Sequence, residues 1–422
     1  MDRSVTSAPG GPAAAFPPLP PIPPFGVARI PRLVFGAGRI AELPALAREQ
    51  GTRALLVTGV RSFRGGPAWP VLTGGLEAAG VRWDALAVDG EPSPGLVDES
   101  VAARRADPPD VVVGIGGGSV LDAAKAVAGL LRSGTRAMDH LEGVGRGIPY
   151  PGPATPFIAV PTTAGTGSEA TKNAVLAERG PDGFKKSFRD ERLIATVALL
   201  DPDLLAPCPP ALIAGDGMDA LTQLLEAYLS TGASPFTDAI VTAGLEAARD
   251  GLLAWHGAAS AGAPPGVSAG ARSRMAWAAL ASGIALANAG LGAVHGLVAP
   301  LGAQAPVPHG TGCGILLAAT TRANIAALTA RSAPDSAALA RYATAGRLLA
   351  GDPALPDQDA RDALLETLAG WTVALGLPRL RDFGIGAADL PRIVADARGS
   401  SMRTNPVVLT DAELDRILRA CS

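Results

Sequence analysis

The chain has 422 residues and a formal net charge of -3, with 48% hydrophobic and 18% charged residues. This length favours two domains, and the composition favours a globular protein with a large buried interior. No basic patch interleaved with aromatic residues is visible, so we expect no nucleic-acid partner. The three cysteines form neither a disulfide framework nor a zinc-ribbon spacing, which predicts a reducing, cytoplasmic location.

Residues 1–25 are dominated by Pro, Ala and Gly, a composition that predicts an extended or disordered tail. Short apolar runs then alternate with helix-length segments, as is typical of a parallel sheet wrapped by helices. The predicted strands are residues 53–58, 82–88, 110–115 and 156–160, and the predicted helices between them are residues 68–80 and 97–105.

Beyond about residue 209 the sequence favours long helices and contains no convincing strand. The predicted helices are residues 212–230, 235–255, 272–289, 314–329 and 337–350. The run 276–294 has no charge, but glycine, serine and asparagine interrupt it and no basic flank marks its ends. We therefore predict a buried helix there and expect no membrane association.

The third predicted strand runs directly into GGGSVLDAAKAVAGLL, residues 116–131. Glycines let backbone N–H groups approach a ligand closely, and Ser119 stands near the start of a helix, whose N-terminus attracts anions. Because open α/β sheets bind ligands at the carboxyl ends of their strands, this pattern favours a phosphate-binding loop over a ligand-free turn. Asp122 and Lys125 either form a local ion pair or frame the loop.

A second polar loop, PTTAGTGSE at residues 161–169, follows the fourth predicted strand. Its threonine hydroxyls and flexible glycines would face the same crevice as the glycine loop. Alone this segment is a generic polar turn, but beside the glycine loop it forms a second wall for one ligand.

Two of the four histidines, His295 and His309, lie in the apolar stretch GAVHGLVAPLGAQAPVPHG, residues 292–310. A buried imidazole without a partner costs roughly 1–3 kcal/mol. Two interpretations of this stretch stay open at this point. The histidines bind a metal ion, or each is a core residue paired with a backbone carbonyl.

Four segments resemble the signatures of the iron-dependent (group III) alcohol dehydrogenases, in the dehydroquinate synthase-like superfamily. They are GGGSVLDAAK, PTTAGTGSEAT, GMDALTQLLEAY and VHGLVAPLGAQAPVPHG. The likeness extends from FGAGRI at residue 35 to SSMRTNPVVLTDAEL near the C-terminus, so only the proline-rich tail lies outside it.

The resemblance implies an α/β N-terminal dinucleotide-binding domain with a parallel sheet, residues 26–207, and an all-α metal-binding and substrate domain, residues 208–422. It implies an oxidoreductase that transfers hydride reversibly between a small alcohol and NAD or NADP and gives an aldehyde or ketone. A divalent metal would assist the reaction, and the protein would be a homodimer.

The site residues are carried over from the matching motifs. The resemblance assigns metal ligation and catalysis to Asp219, His295 and His309. It assigns cofactor binding to Gly117, Gly118, Ser119, Asp122, Thr162, Thr163, Thr166 and Lys185.

Two positions depart from the family pattern. Gln223 stands where the family helix has a second metal-ligating histidine, four residues after Asp219 on the same helical face. A glutamine oxygen is a weaker ligand for iron or zinc than an imidazole, although Gln223 stays in the predicted metal set. Ala299 replaces a histidine thought to relay protons, so the proton would leave through water or the cofactor ribose.

The sequence leaves two choices open, the identity of the metal and NAD or NADP as the cofactor. Iron(II) is the first expectation and zinc the second, since the similar glycerol dehydrogenases hold zinc with an Asp, His, His set. No carboxylate follows the first predicted strand to repel a 2′-phosphate, and Arg61 or Arg64 could attract one, so NADP is permitted beside NAD.

Three other functions compete with this interpretation. They are a metal-independent reductase of the maleylacetate reductase type, a dehydroquinate synthase-like lyase, and a binding protein without activity. Retention of Asp219, His295 and His309 argues against the first, and the two loops match the alcohol dehydrogenases better than the lyases.

Overall fold

The computed structural model describes residues 22–60, 63–178, 183–333 and 336–422. Its N-terminal part is built on a six-stranded sheet in the order β1-β8-β5-β4-β2-β3, in which every neighbouring pair is parallel. The strands are β1 (Arg32–Phe35), β2 (Arg53–Gly59), β3 (Arg82–Val88), β4 (Val111–Gly116), β5 (Phe157–Pro161) and β8 (Val197–Leu200). The predicted α/β class with a parallel sheet is confirmed.

Helices cover both faces of this sheet, because alternate residues of each buried strand point to opposite faces. Leu55 and Val57 of β2 join an apolar cluster with the helices α3 and α4, whereas Leu56 joins a cluster with α1 and α2. The helices of this half are α1 (Leu43–Gln50), α2 (Ala68–Ala78), α3 (Pro94–Ala103), α4 (Gly118–Leu130) and α5 (Ala137–His140).

The order of the strands creates a crevice at one edge of the sheet. β2 lies between β3 and β4, so the chain leaves β2 in one direction and returns to the sheet on its other side. Open α/β sheets bind ligands at such a reversal, outside the carboxyl ends of the strands. The glycine loop follows β4 and therefore lies at this point.

The C-terminal part is helical, as predicted, and no strand follows β8 within the part of the chain that the structure describes. Its helices are α6 (Pro210–Leu229), α7 (Pro235–Ser260), α8 (Ala269–Ala289), α9 (Ala293–Gln304), α10 (His309–Arg331), α11 (Ala337–Ala350), α12 (Asp357–Ala374), α13 (Leu390–Asp396) and α14 (Asp411–Cys421). They share one large apolar core, in which α6 is buried along most of its length.

Several elements differ from the sequence prediction. The sheet has two more strands than predicted, β1 and β8, which are only four residues long. A separate antiparallel hairpin, β6 (Asn173–Glu178) with β7 (Phe184–Arg189), was not predicted, because the sequence FKKSFR has few apolar residues. The helix α10 begins at His309, not at residue 314, and α9 was not predicted at all.

The uncharged run 276–294 is not one helix. α8 ends before Gly290, whose φ of +78° favours glycine, and α9 leaves at a bend of 102°. Among the described residues, α10 is long and apolar enough to cross a membrane by length and composition, and 61% of its most apolar window is buried inside the protein. Most of the predicted tail, residues 1–21, lies outside the described residues, and residues 22–25 are exposed without regular structure.

Candidate metal centre and cofactor cleft

The glycine loop and the threonine loop touch each other at the carboxyl edge of the sheet. A Cβ atom on Gly118 would lie 2.8 Å from Cγ2 of Thr166, and a Cβ atom on Gly117 would lie 3.3 Å from Cγ2 of Thr163. A side chain at Gly118 would therefore force Thr166 to shift, and one at Gly117 would press on Thr163. Gly117 caps the N-terminus of α4, and Ser119 is half-buried in its first turn, where backbone N–H groups and the helix dipole favour a phosphate.

Asp122 and Lys125 of α4 both form hydrogen bonds with Ser168 of the threonine loop. The Lys125 ammonium is fully buried and donates hydrogen bonds to the carbonyl oxygens of Ser168, at 2.8 Å, and Asn173, at 2.6 Å. Asp122 accepts a hydrogen bond of 2.7 Å from the Ser168 hydroxyl. Burial lowers the pKa of Lys125 to about 8. Nζ of Lys125 also lies 3.8 Å from Oδ1 of Asp122, so the structure shows both the ion pair and the framing of the loop. Asp122 as a cofactor contact stays a prediction.

The other predicted cofactor residues lie around the same cleft. Thr162, Thr163 and Thr166 are half-buried in the threonine loop, and the carbonyl of Thr162 accepts from the Cys208 thiol at 3.3 Å. Lys185, on β7, forms an ion pair with Glu91, which lies after β3.

Asp216 connects the threonine loop to the helical half, a role that the sequence analysis missed. It shares a hydrogen bond with the side chain of Thr163, and a Cβ atom on Gly165 would lie 2.7 Å from its Cβ. Burial, with a contribution from Asp219, raises the pKa of Asp216 to about 7. Asp219 follows it by one helical turn on α6, so the cofactor loops lie directly beside the predicted metal ligands.

Three of the four predicted metal ligands come together from three helices. Asp219 lies in α6, His295 in α9, and His309 is the first residue of α10. Oδ1 of Asp219 lies 3.4 Å from Nε2 of His295 and 3.8 Å from Nε2 of His309. Asp219 and His295 are buried, whereas the side chain of His309 is 36% exposed and marks the open side of the site.

A fourth donor, the thiol of Cys313, was missed by the sequence analysis. The ligand atoms of Asp219, His295, His309 and Cys313 all lie within 4.8 Å of one another. Cys313 follows His309 by four residues, which places both on one face of α10. That His-x-x-x-Cys spacing is the signal by which the sequence could have identified it.

Glu226 orients His295. Nδ1 of His295 donates to one carboxylate oxygen of Glu226 at 2.6 Å, and the other oxygen accepts from the backbone N–H of Val294 at 2.7 Å. This contact turns Nε2 of His295 toward Asp219, an arrangement typical of metal-ligating histidines. The core-histidine interpretation required a backbone carbonyl as the partner of His295. The partner is instead the carboxylate of Glu226.

The pKa values in this cluster follow from its burial and its charges. Burial alone would raise the pKa of Asp219, but His309 and His295 lower it to about 2. Loss of hydration lowers the pKa of His309, and the neighbouring His295 acts in the same direction. Burial also raises the pKa of the Cys313 thiol to about 12.

Gln223 is buried next to these donors, but its oxygen is already engaged. Oε1 accepts a hydrogen bond of 2.8 Å from the hydroxyl of Ser282, and the side chain also hydrogen-bonds Asp219. That oxygen has a second lone pair, so the role of Gln223 as a ligand stays a prediction. Ala299 is exposed on α9, one turn after His295.

Of the two arginines that could attract a 2′-phosphate, the structure describes only Arg64. Arg64 lies over the ring of Trp69, at 5.2 Å from its centre, and Arg61 lies outside the described residues.

The donor set fits a divalent transition metal. Imidazole, carboxylate and thiolate groups are the ligands that bind zinc and iron in proteins. The glycine and threonine loops provide the close backbone approach and the helix N-terminus that a pyrophosphate requires.

One protein family matches the chain along most of its length, in two consecutive segments. Residues 31–202 match the family described as iron-containing alcohol dehydrogenase, and residues 213–422 match the C-terminal part of the same family. Lactaldehyde reductase of Escherichia coli strain K12 is 32% identical over 375 residues, which cover 86% of this chain and 90% of that protein.

Solved structures share the fold. A 1,3-propanediol oxidoreductase superimposes with a TM-score of 0.83 at 29% identity, over 95% of this chain and 100% of that one. Sulfoacetaldehyde reductase from Bifidobacterium kashiwanohense, in complex with NAD+, gives a TM-score of 0.80 at 27% identity, over 94% of this chain and 98% of that one.

Proposed function

The chain belongs to the iron-containing alcohol dehydrogenase family, and we propose that it transfers hydride reversibly between a small alcohol and NAD or NADP, with the help of a divalent metal. The product of alcohol oxidation is an aldehyde or a ketone. Relatives that reduce lactaldehyde or oxidise 1,3-propanediol support this substrate class.

One observation carries the proposal more than any other. The donor cluster of Asp219, His295 and His309 lies one helical turn from Asp216, which contacts the threonine loop of the cofactor cleft. Hydride transfer requires the reacting alcohol and the nicotinamide to meet within van der Waals contact. The convergence of the two predicted sites at one edge of the sheet supports such a meeting.

Each group of residues has a distinct task in this reaction. A divalent metal held in the donor cluster would supply Lewis-acid chemistry, which lowers the pKa of an alcohol oxygen. Asp219, His295 and His309 would hold that ion, and Glu226 fixes the orientation of His295. The N-terminus of α4, with Gly117, Gly118 and Ser119, would bind the pyrophosphate.

The competing functions have less support. A metal-independent reductase would not need three converging donors backed by a buried carboxylate, yet these donors are present and held in place. A dehydroquinate synthase-like lyase is not favoured, because the relatives and structural neighbours named above are alcohol or aldehyde oxidoreductases.

The finer properties are part of the proposal. The complex of the sulfoacetaldehyde reductase with NAD+ supports NAD, and NADP stays permitted beside it. The family description supports iron as the first metal and zinc as the second. We also propose a cytoplasmic homodimer that acts on small molecules and has no nucleic-acid or membrane partner.

The test is an assay of NADH and NADPH oxidation with small aldehydes, run beside the reverse reaction with 1,3-propanediol and other short alcohols. The expected result is turnover in both directions, with Asp219→Asn inactive but still folded. Turnover of a sugar phosphate without net change in the cofactor would instead support a lyase. Cofactor binding without turnover of any substrate would support a binding protein.

A further inference from the structure

The thiol of Cys313 occupies a place in the donor cluster that the family resemblance does not assign. It is fully buried, and Sγ lies 3.5 Å from Oδ1 of Asp219, 3.7 Å from Nε2 of His295 and 4.0 Å from Nε2 of His309. The thiol thus contacts all three predicted ligand atoms at once.

These separations match a tetrahedron around one ion. With bonds of about 2.0–2.1 Å to nitrogen or oxygen and about 2.3 Å to sulfur, tetrahedral ligand atoms lie about 3.3 Å apart, or about 3.5–3.6 Å apart where one of them is sulfur. The three sulfur distances and the 3.4 and 3.8 Å between Asp219 and the two histidines all lie within about 0.5 Å of these values. Neighbouring ligands of an octahedral ion would lie only about 2.9 Å apart.

We propose that Cys313 is the fourth metal ligand, in a tetrahedral set with Asp219, His295 and His309 that selects zinc over iron(II). This proposal rests on the proposed function, because it names the ion that the same site would hold, and it reverses the order of metals that the family description alone supports. The three other ligands alone form the two-histidine, one-carboxylate set typical of iron(II). Addition of a thiolate, a softer ligand, converts this set into one that zinc prefers.

Gln223 then positions Asp219 and does not bind the ion. Its oxygen accepts from Ser282 on α8, and its hydrogen bond to Asp219 leaves the amide nitrogen as the donor. The group that Gln223 turns toward Asp219 is therefore a donor, which cannot bind a cation. The fourth metal ligand is therefore Cys313 on α10 and not Gln223 on α6.

The site keeps an approach for substrate. Asp219, His295 and Cys313 are at most 6% exposed, whereas the side chain of His309 is 36% exposed. Catalytic zinc sites can expand to five ligands during the reaction, so an alcohol oxygen would join the four protein atoms from the open side of His309.

The test is X-ray absorption at the zinc edge of the full chain, depleted of metal and reloaded with one zinc ion. The expected spectrum contains one sulfur at about 2.3 Å and a shell of nitrogen and oxygen at about 2.0–2.1 Å. Cys313→Ser should lose the sulfur shell and weaken zinc binding at least about tenfold, with little effect on iron(II) binding. Cys421→Ser, a buried thiol in α14 outside the cluster, is the matched control and should keep both.

The wild-type spectrum decides the question even if Cys313→Ser fails to fold. A shell without sulfur in the zinc-loaded wild-type chain would overturn the assignment, and so would failure of that chain to bind zinc. If hydride transfer persists in a protein without the sulfur shell, only the ligand assignment fails and the proposed function stands. Loss of all dependence on metal would count against both.

Discussion

At the scale of single residues, the contact between Glu226 and His295 has the clearest consequence. Glu226 lies two turns after Asp219 on α6. Its carboxylate accepts from Nδ1 of His295 and from the backbone of α9, so it fixes the imidazole that faces the metal site.

Glu226→Gln should weaken metal binding by about 10–100-fold, which is the usual cost of losing the carboxylate behind a ligating histidine. The glutamine keeps an oxygen for Val294 but loses the negative charge that stabilises His295. Competition with a chelator of known affinity measures the change. Unchanged affinity in a folded variant would contradict the role given to Glu226.

Glu169 makes stability depend on pH. It is the last residue of the threonine loop and 2% exposed, and burial raises its pKa to about 7 from an ordinary value of 4.5. Between pH 4.5 and about pH 7, Glu169 keeps its proton in the folded protein and has released it in the unfolded chain. The free energy of unfolding contributed by this group therefore falls as pH rises from 4.5 to 7, and the loss is complete above pH 7.

Glu169→Gln should flatten this dependence. Relative to the wild type, the variant should gain on the order of 1–3 kcal/mol in unfolding free energy above the raised pKa and little below pH 4.5. Urea unfolding at a series of pH values measures both curves, and Glu246→Gln, at an exposed position of α7, is the control. Parallel curves for Glu169→Gln and the wild type would contradict the assignment.

At the scale of elements, the cofactor cleft depends on how closely two loops approach. Gly118 begins α4 and faces Thr166, and the helix N-terminus is the element that would bind the pyrophosphate. Any side chain at this position pushes the two walls of the cleft apart.

Gly118→Ala should raise the dissociation constant of NAD or NADP at least about tenfold, because its Cβ would lie 2.8 Å from the side chain of Thr166. Gly74→Ala is a suitable control, since it lies in α2 and its Cβ would meet nothing within 4 Å. Fluorescence titration with the reduced cofactor measures both variants. Equal affinity in the two would contradict the predicted cradle.

The elements also show what sequence patterns can predict. The strand at residues 82–88 was predicted with its observed bounds, because its neighbours are turn residues. β8 escaped prediction, since four apolar residues carry too little periodicity to distinguish a strand from a loop. α9 was missed because Gly296 and Pro300 disfavour a helix locally, whereas packing of this segment in the helical core favours one.

The same limit applies to the site. The loops and the three expected ligands were visible as local motifs, and the structure brings them together. Glu226, Asp216 and Cys313 were not assigned, because their roles depend on contacts between α6, α9, α10 and the threonine loop. Such contacts arise from tertiary packing, which a single sequence does not display.

At the scale of the whole molecule, the proposed function assigns one part of the reaction to the parallel sheet and the other to the helical half. The sheet ends in a cleft suited to a dinucleotide, and the helices supply the donors suited to a metal. Asp216 lies where the two meet, between the threonine loop and Asp219. The central claim is that neither part transfers hydride without the other.

The most direct test is the dependence of hydride transfer on the metal. The full chain is depleted of metal, and reduction of NAD or NADP by a short alcohol is followed before and after titration with zinc or iron(II). We expect no turnover in the depleted protein and recovery that saturates at one ion per chain. Full turnover in the metal-depleted protein, with no response to added metal, would contradict the account.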